Sequence, residues 1–306
     1  MRHVTAIADL TDADIVKILD LADRLYAAPE KRYPVLGGRT IANVFFEPST
    51  RTRVSFELAA RRLGADAVAV QGQMSSTVKG ETLLDTAKNL AAMKVAAFVV
   101  RTSTSGAAAQ VARACGLPVI NAGDGLHEHP TQALLDAGTI RRHKGRIAGL
   151  LVTIVGDIAH SRVARSNIAL LRRLGCRVRV AAPRTLLPVA VEHLGAEPFT
   201  DLDAALEGAD VVMMLRLQQE RLSQQPLLPS LREFSQLYGL DERRLHRLGN
   251  DVLVMHPGPI NRGVELRSSV ADDRRAVILD QVTYGVVCRM AVLCHIFETT
   301  VPDASA

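Results

Sequence analysis

Phe46-Glu47-Pro48-Ser49-Thr50-Arg51-Thr52-Arg53 closes an apolar run over residues 41–46 and leads into Val54, Leu58 and Leu63, spaced as one helical face before Gly64. The run reads as a buried parallel strand, so residues 49–53 fall where a strand hands over to a helix N-terminus. Such a turn offers unpaired N–H groups and the positive end of a helix dipole, both suited to an anion. Ser49, Thr50 and Thr52 add hydroxyl donors, and Arg51 and Arg53 add guanidinium forks that match phosphate geometry. The alternative is a Ser/Thr cap followed by solvated arginines. It accounts for one hydroxyl, not for three interleaved with two arginines. The stretch therefore reads as a phosphate site.

Outward from it, short apolar runs alternate with helical patterns. Thr11-Asp12-Ala13-Asp14 caps a first amphipathic helix carrying Ile15, Ile18, Leu19 and Leu21. Strands are expected at 67–70, 95–100 and 119–121, with helices at 81–93, 107–114 and 129–143. A second series has strands at 151–155, 178–181, 211–215 and 253–255, helices at 163–174, 189–194 and 203–207, and a long closing helix from Tyr284. Residues 71–80 are polar and aperiodic and read as a loop, and 218–240, with Pro226 and Pro229, as an irregular surface excursion. Two such series imply two parallel-sheet α/β domains: 1–144, with the C-terminal helix of 284–306 packing back on it, and 145–283.

The strand ends carry the chemistry. Open α/β sheets bind ligands beyond the carboxyl ends of their strands. Residues 49–53, Arg101, 121–129, Arg216 and 256–259 each follow an expected strand directly, so the reading places an active site in the cleft between the two domains. Taken singly, these groups are ambiguous. Arg101 could be a satisfied strand-end arginine. His129, ahead of Pro130, could be a structural cap or a donor to a carbonyl oxygen. Lys79, in a Ser/Gly loop, reads locally as solvated, and Arg216-Leu217-Gln218 suits a carboxylate. Gly156-Asp157 lacks the further glycines of a dinucleotide fingerprint.

Composition narrows the class. The chain has 306 residues, 48% hydrophobic and 23% charged, enough for two core-bearing domains. No uncharged apolar run is long enough for a membrane span, and the N-terminus lacks an apolar signal core, so a cytoplasmic protein is expected. The net charge of +5 comes from dispersed arginines, with no Trp and 4% aromatics; this favours small anionic substrates over nucleic acid. Cys115, Cys176, Cys288 and Cys294 form no CxxC pair and read as reduced packing residues, without a structural zinc.

Seven blocks in register resemble the aspartate/ornithine carbamoyltransferase family. They are Ser49-Thr50-Arg51-Thr52-Arg53, Ser75 with Lys79-Gly80-Glu81-Thr82, Val100-Arg101, His129-Pro130-Thr131-Gln132, Gly156-Asp157 with Arg162, Arg216-Leu217-Gln218, and His256-Pro257-Gly258-Pro259. Thr131 and the last block look like the aspartate branch; the ornithine branch would have a cysteine after His-Pro and a His-Cys-Leu-Pro block. Gly258, where some relatives carry leucine, and Asn261-Arg262-Gly263-Val264-Glu265 look like a bacterial sub-branch.

The resemblance implies transfer of the carbamoyl group of carbamoyl phosphate to the α-amine of L-aspartate, a step of pyrimidine biosynthesis, with no metal or organic cofactor. It implies that Ser49, Thr50, Arg51, Thr52 and Arg101 hold the phosphate. Thr52, Arg101 and His129 would donate to the carbonyl oxygen, while Gln132 and the loop Pro257-Gly258-Pro259, through the Pro257 carbonyl, orient the carbamoyl NH₂. Arg162 would take the α-carboxylate, and Arg216 with Gln218 the β-carboxylate. Ser75 and Lys79 would come from the neighbouring subunit of a homotrimer, Lys79 as a catalytic and aspartate-binding residue, and a regulatory chain or a dihydroorotase would be a candidate partner. Two alternatives stand beside this reading: another amine acceptor such as ornithine, which Arg216 would repel, and a catalytically silent scaffolding homologue, against which every matched position is intact.

Overall fold

The computed structural model describes residues 2–71, 82–217 and 230–302. Its chain divides into two compact units, residues 1–138 with 283–306 and residues 139–282. The divisions fall inside helices, a few residues from the 144/145 and 283/284 boundaries expected from sequence.

In the first unit, Thr11 opens α1 (Asp12–Tyr26) with a reciprocal cap, its hydroxyl accepting from the Asp14 amide and Asp14 returning a bond to the Thr11 amide. Such a cap contributes about 1 kcal/mol. There follow β1 (Thr40–Phe45), α2 (Thr50–Arg62), β2 (Asp66–Gln71), α3 (Leu83–Ala92), β3 (Ala97–Thr102), α4 (Ala107–Cys115), β4 (Val119–Asp124) and α5 (Pro130–Lys144). The four strands are parallel in the order β2-β1-β3-β4. The chain thus leaves β1 in one direction for β2 and returns to its other side for β3, so the switch point of this sheet lies between β1 and β3.

The face of α2 differs from expectation. Val54 and Leu58 are each 38% exposed, and the helix buries Ser55, Phe56, Ala59 and Ala60 instead. It packs on β1 and β2, and the two alanines allow it close to the strands. Buried Phe56 contributes about 1.5–3 kcal/mol there.

The second unit holds β5 (Leu151–Val155), α6 (Arg162–Arg173), β6 (Arg177–Ala181), β7 (Glu197–Phe199), α7 (Leu202–Leu206), β8 (Val211–Met214), α8 (Leu231–Tyr238), α9 (Glu242–Arg247), β9 (Leu253–Met255) and α10 (Ser268–Ala271). The strands are parallel in the order β7-β6-β5-β8-β9, with the switch point between β5 and β8. Residues 189–194, expected as a helix, form only a 3₁₀ turn at Val191–Leu194, and the short strand β7 follows it. The expected irregular excursion contains α8, capped by Ser230, whose hydroxyl accepts from the Glu233 amide. Buried Arg244 then closes that helix by donating to the carbonyls of Gln236, Leu237 and Gly239.

The closing helix α11 (Ile278–Ile296) starts a turn and a half before the expected Tyr284 and crosses from one unit into the other, as α5 does. Among the described residues no helix is long and apolar enough to cross a membrane. Cys176, Cys288 and Cys294 are buried free thiols, and burial pushes Cys288 and Cys294 up to about 12.

Candidate active site

In the first unit the candidate residues lie at or after the ends of β1, β3 and β4. Ser49 precedes α2 in extended conformation and makes no side-chain capping bond, so its hydroxyl is not spent on the helix. Thr50 and Arg51 are exposed, whereas Thr52 is buried at the same helix end. Arg53 is turned along the helix to Glu57, at 3.1 Å. The α2 N-terminus therefore presents backbone amides, hydroxyls and Arg51 on the side where β1 ends.

Arg101 lies beside Phe45 in register, and its carbonyl accepts from the Phe46 amide at 2.8 Å. Its guanidinium donates to the Glu47 carboxylate at 2.7 Å and to the Ala122 carbonyl at 3.2 Å. It thus bridges the ends of β1 and β4, with Glu47 as a built-in counter-charge. Glu47 stands within the opening motif, but its type and spacing alone point to no role.

His129 ends the turn after β4. Buried Asp124 organises that turn, accepting from Asn121 Nδ2 at 2.7 Å and from the amides of Gly106 and Glu128 at 2.7 and 3.1 Å. His129 itself is 3% exposed, and Pro130 starts α5 at the position where a missing N–H costs nothing. One turn on, Gln132 is also buried and donates through Nε2 to Asp136 Oδ1 at 2.9 Å.

The second unit repeats the arrangement at its own switch point. Gly156 leaves β5 at φ 132°, and a Cβ there would stand 2.9 Å from Leu215 Cβ, so only glycine lets this turn pass the end of β8. Asp157 accepts from the His160 amide at 3.1 Å, and Ser161 caps α6, placing Arg162 in its first turn with only 6% exposure. A guanidinium that deep at a strand-end turn is suited to a bound carboxylate. Arg216 follows β8 and is half-buried.

Pro257, Gly258 and Pro259 follow β9. His256 holds this loop from within: its Nδ1 accepts from the Gly258 amide at 2.7 Å, so its proton lies on Nε2, which donates to Glu265 at 3.2 Å. The same carboxylate accepts from the Asn261 amide at 2.8 Å, and Asn261 Nδ2 donates to the Leu217 carbonyl at 3.1 Å. Residues 261–265 thus brace the proline loop against the residue following Arg216. Ser75, Lys79 and Gln218 lie outside the described residues. Among the described residues no cluster of His, Cys, Asp or Glu could hold a metal ion.

Two sequence profiles match the chain. Residues 2–142 match the carbamoyl-P binding domain of aspartate/ornithine carbamoyltransferase, and residues 148–296 its Asp/Orn binding domain. The chain belongs to the aspartate/ornithine carbamoyltransferase family. Within it, the chain is 57% identical over 294 residues to the aspartate carbamoyltransferase catalytic subunit of Chelativorans sp. (strain BNC1), an alignment covering 95% of this chain and 92% of that one.

Its fold is that of a Trypanosoma cruzi aspartate transcarbamoylase solved with carbamoyl phosphate and aspartate (TM-score 0.85, 32% identity, 98% and 97% coverage). An ornithine carbamoyltransferase from Pyrococcus furiosus is nearly as similar (TM-score 0.84, 29% identity, 96% coverage of both). Fold alone therefore does not separate the two acceptors, whereas the relatives at 56–58% identity are aspartate carbamoyltransferase catalytic subunits.

Proposed function

We propose that this chain transfers the carbamoyl group of carbamoyl phosphate to the α-amine of L-aspartate, giving N-carbamoyl-L-aspartate and phosphate. The observation that carries the reading is the pairing of anion-binding groups at both switch points. These are the α2 N-terminus with Arg101 in the first unit, and Arg162 with Arg216 in the second. A donor with a phosphate and an acceptor with two carboxylates is the substrate pair that such arginines recognise.

In this mechanism Ser49, Thr50, Arg51, Thr52 and Arg101 bind the phosphate. Thr52, Arg101 and His129 donate to the carbonyl oxygen as it gains charge in the tetrahedral intermediate; a donor of this kind contributes about 10²–10³ in rate. Gln132 and the Pro257 carbonyl accept from the carbamoyl NH₂ and so orient it. Arg162 takes the α-carboxylate of aspartate, and Arg216 with Gln218 the β-carboxylate. The amine nitrogen attacks the carbonyl carbon, the bond from that carbon to the phosphate oxygen breaks, and the departing phosphate takes the amine proton. Catalysis then rests on positioning and electrostatics.

The active assembly in this reading is a cytoplasmic homotrimer in which Ser75 and Lys79 reach the neighbouring subunit's site. The 57% identity to a catalytic subunit supports an active chain. The deciding assay offers carbamoyl phosphate with L-aspartate or L-ornithine to the purified protein. Carbamoylation of aspartate, with ornithine essentially untouched, is the expected result. Faster turnover of ornithine ends the aspartate assignment, and no turnover of either favours a silent homologue.

A further inference from the structure

Two buried charged groups behind the site have no part in the mechanism above: Asp136, in the second turn of α5, and Arg289, on α11. Asp136 has no exposed surface, and its Oδ1 receives the Gln132 Nε2–H at 2.9 Å. A glutamine–aspartate pair one turn apart supports an exposed helix by about 0.2–0.5 kcal/mol. That account fails here, because burying a carboxylate costs several kcal/mol unless it is compensated. Arg289, 4% exposed, is a buried group of opposite sign within the electrostatic reach of Asp136; its guanidinium lies 5.1 Å from the centre of the Phe56 ring and donates to the Gly285 carbonyl at 2.9 Å. Burial pulls Arg289 down to about 10, against the opposing pull of Cys288 and Asp136, so it stays a cation at neutral pH. The fold thus keeps Asp136 and a cation inside, and Asp136 holds the Gln132 amide.

The consequence for that amide follows from donor and acceptor chemistry. Gln132 Nε2 donates to Asp136 Oδ1, so Gln132 turns its NH₂ to Asp136 and its Oε1 away. With the amide so locked, Gln132 is an acceptor toward any ligand at the α5 N-terminus and cannot rotate to become a donor. We propose that Asp136, balanced by Arg289, is a positioning residue that locks Gln132 as an acceptor, and that this lock makes the site select a carbamoyl group over an acyl group with a methyl in place of the NH₂. The proposal rests on the reading of Gln132 given above.

Acetyl phosphate is the matching probe, since it keeps the phosphate and carbonyl and replaces only the NH₂. The measurements are the KM and kcat for carbamoyl phosphate and the inhibition constants of acetyl phosphate and inorganic phosphate, in the full-length protein. Asp136→Ala should lower kcat/KM for carbamoyl phosphate by about 10–100-fold, the range for one lost polar recognition contact. Both inhibition constants should stay within about twofold of the parent, and Gln132→Ala/Asp136→Ala should be no worse than Gln132→Ala alone.

Asp136→Asn, which keeps the volume but can offer either an oxygen or an NH₂ to Gln132, should lower the same preference with less risk to folding. Inhibition constants that rise in step with the loss would show that Asp136 merely supports the phosphate helix, and losses that multiply in the double variant would show that it acts independently of Gln132. Either overturns the proposal. If Gln132→Ala collapses the preference while both Asp136 variants keep it, the lock alone fails. If Gln132→Ala leaves the preference intact, the reading of Gln132 fails and the lock with it.

Discussion

The contact between Glu47 and Arg101 makes a quantitative prediction about anion binding. The guanidinium proposed to hold phosphate is engaged by a carboxylate at 2.7 Å, with the two side chains 13% and 23% exposed. Phosphate and Glu47 therefore compete for one cation. Charge centres about 4 Å apart attract by about 4 kcal/mol at an effective dielectric of about 20, and by about 1 kcal/mol in bulk water. Partial exposure puts this pair toward the lower end, about 1–2 kcal/mol, which is about 5–30-fold in Kd. Glu47→Gln keeps the shape and a hydrogen-bond acceptor but removes the charge, so inorganic phosphate should bind about 5–30-fold more tightly. Titration calorimetry with phosphate measures this directly. The gain should shrink between about 0.01 and 0.15 M ionic strength as the Debye length falls from about 30 to about 8 Å. It should vanish when Arg101→Ala is added, since no shared cation is then left. An unchanged or weaker phosphate affinity in Glu47→Gln would refute the competition, and a gain that survives Arg101→Ala would assign it to another cation.

Three further outcomes are expected. If Lys79 completes a neighbour's site, inactive Arg51→Ala and Lys79→Ala proteins that are dissociated, mixed and reassembled should regain activity, because a hybrid trimer then holds one intact site; hybrids confirmed by native mass spectrometry yet inactive would place both residues in one chain. Gly138→Ala should cost about 1–3 kcal/mol or more in urea unfolding, because its methyl group would meet the Tyr284 ring, which is held by Asp23 at 2.8 Å and by packing on Tyr26; a near-neutral result would mean the ring can move aside. Burial holds the His295 imidazole below its usual range, with Asp14 opposing, so the unfolded chain takes up this proton more readily than the folded one. That contribution to stability is therefore present above about pH 6.5 and lost as pH falls below it toward the folded value. Replacing His295 with Gln should accordingly reduce the fall in urea midpoint between pH 7.5 and 5.5, and an equal fall in both proteins would exclude His295 as its source.

Much of this molecule was legible locally. A strand followed by Ser49-Thr50-Arg51-Thr52-Arg53 reads as an anion site because strand, turn and helix start are all set by neighbouring residues, and the structure keeps Ser49 free of capping duty. Alternation of apolar runs with helical spacing likewise determined two parallel sheets. The start of α8 was signalled by Ser230 and Glu233, a spacing outweighed in the reading by two upstream prolines.

Other features are decided only in three dimensions. Which face of α2 turns inward depends on how closely the sheet lets it approach, and small Ala59 and Ala60 win over larger Val54 and Leu58. Strand order decides that Arg101 stands beside the end of β1, and Arg216 follows the strand paired with β5, because switch points are a property of the sheet and not of the chain. The pairing of Glu47 with Arg101 spans 54 positions, and Arg289 meets Phe56 from far down the chain, so no local spacing announces either. Even the contact from Gln132 to Asp136, four residues apart, acquires its meaning only through burial, since the same pair on an exposed helix would be an ordinary solvated contact.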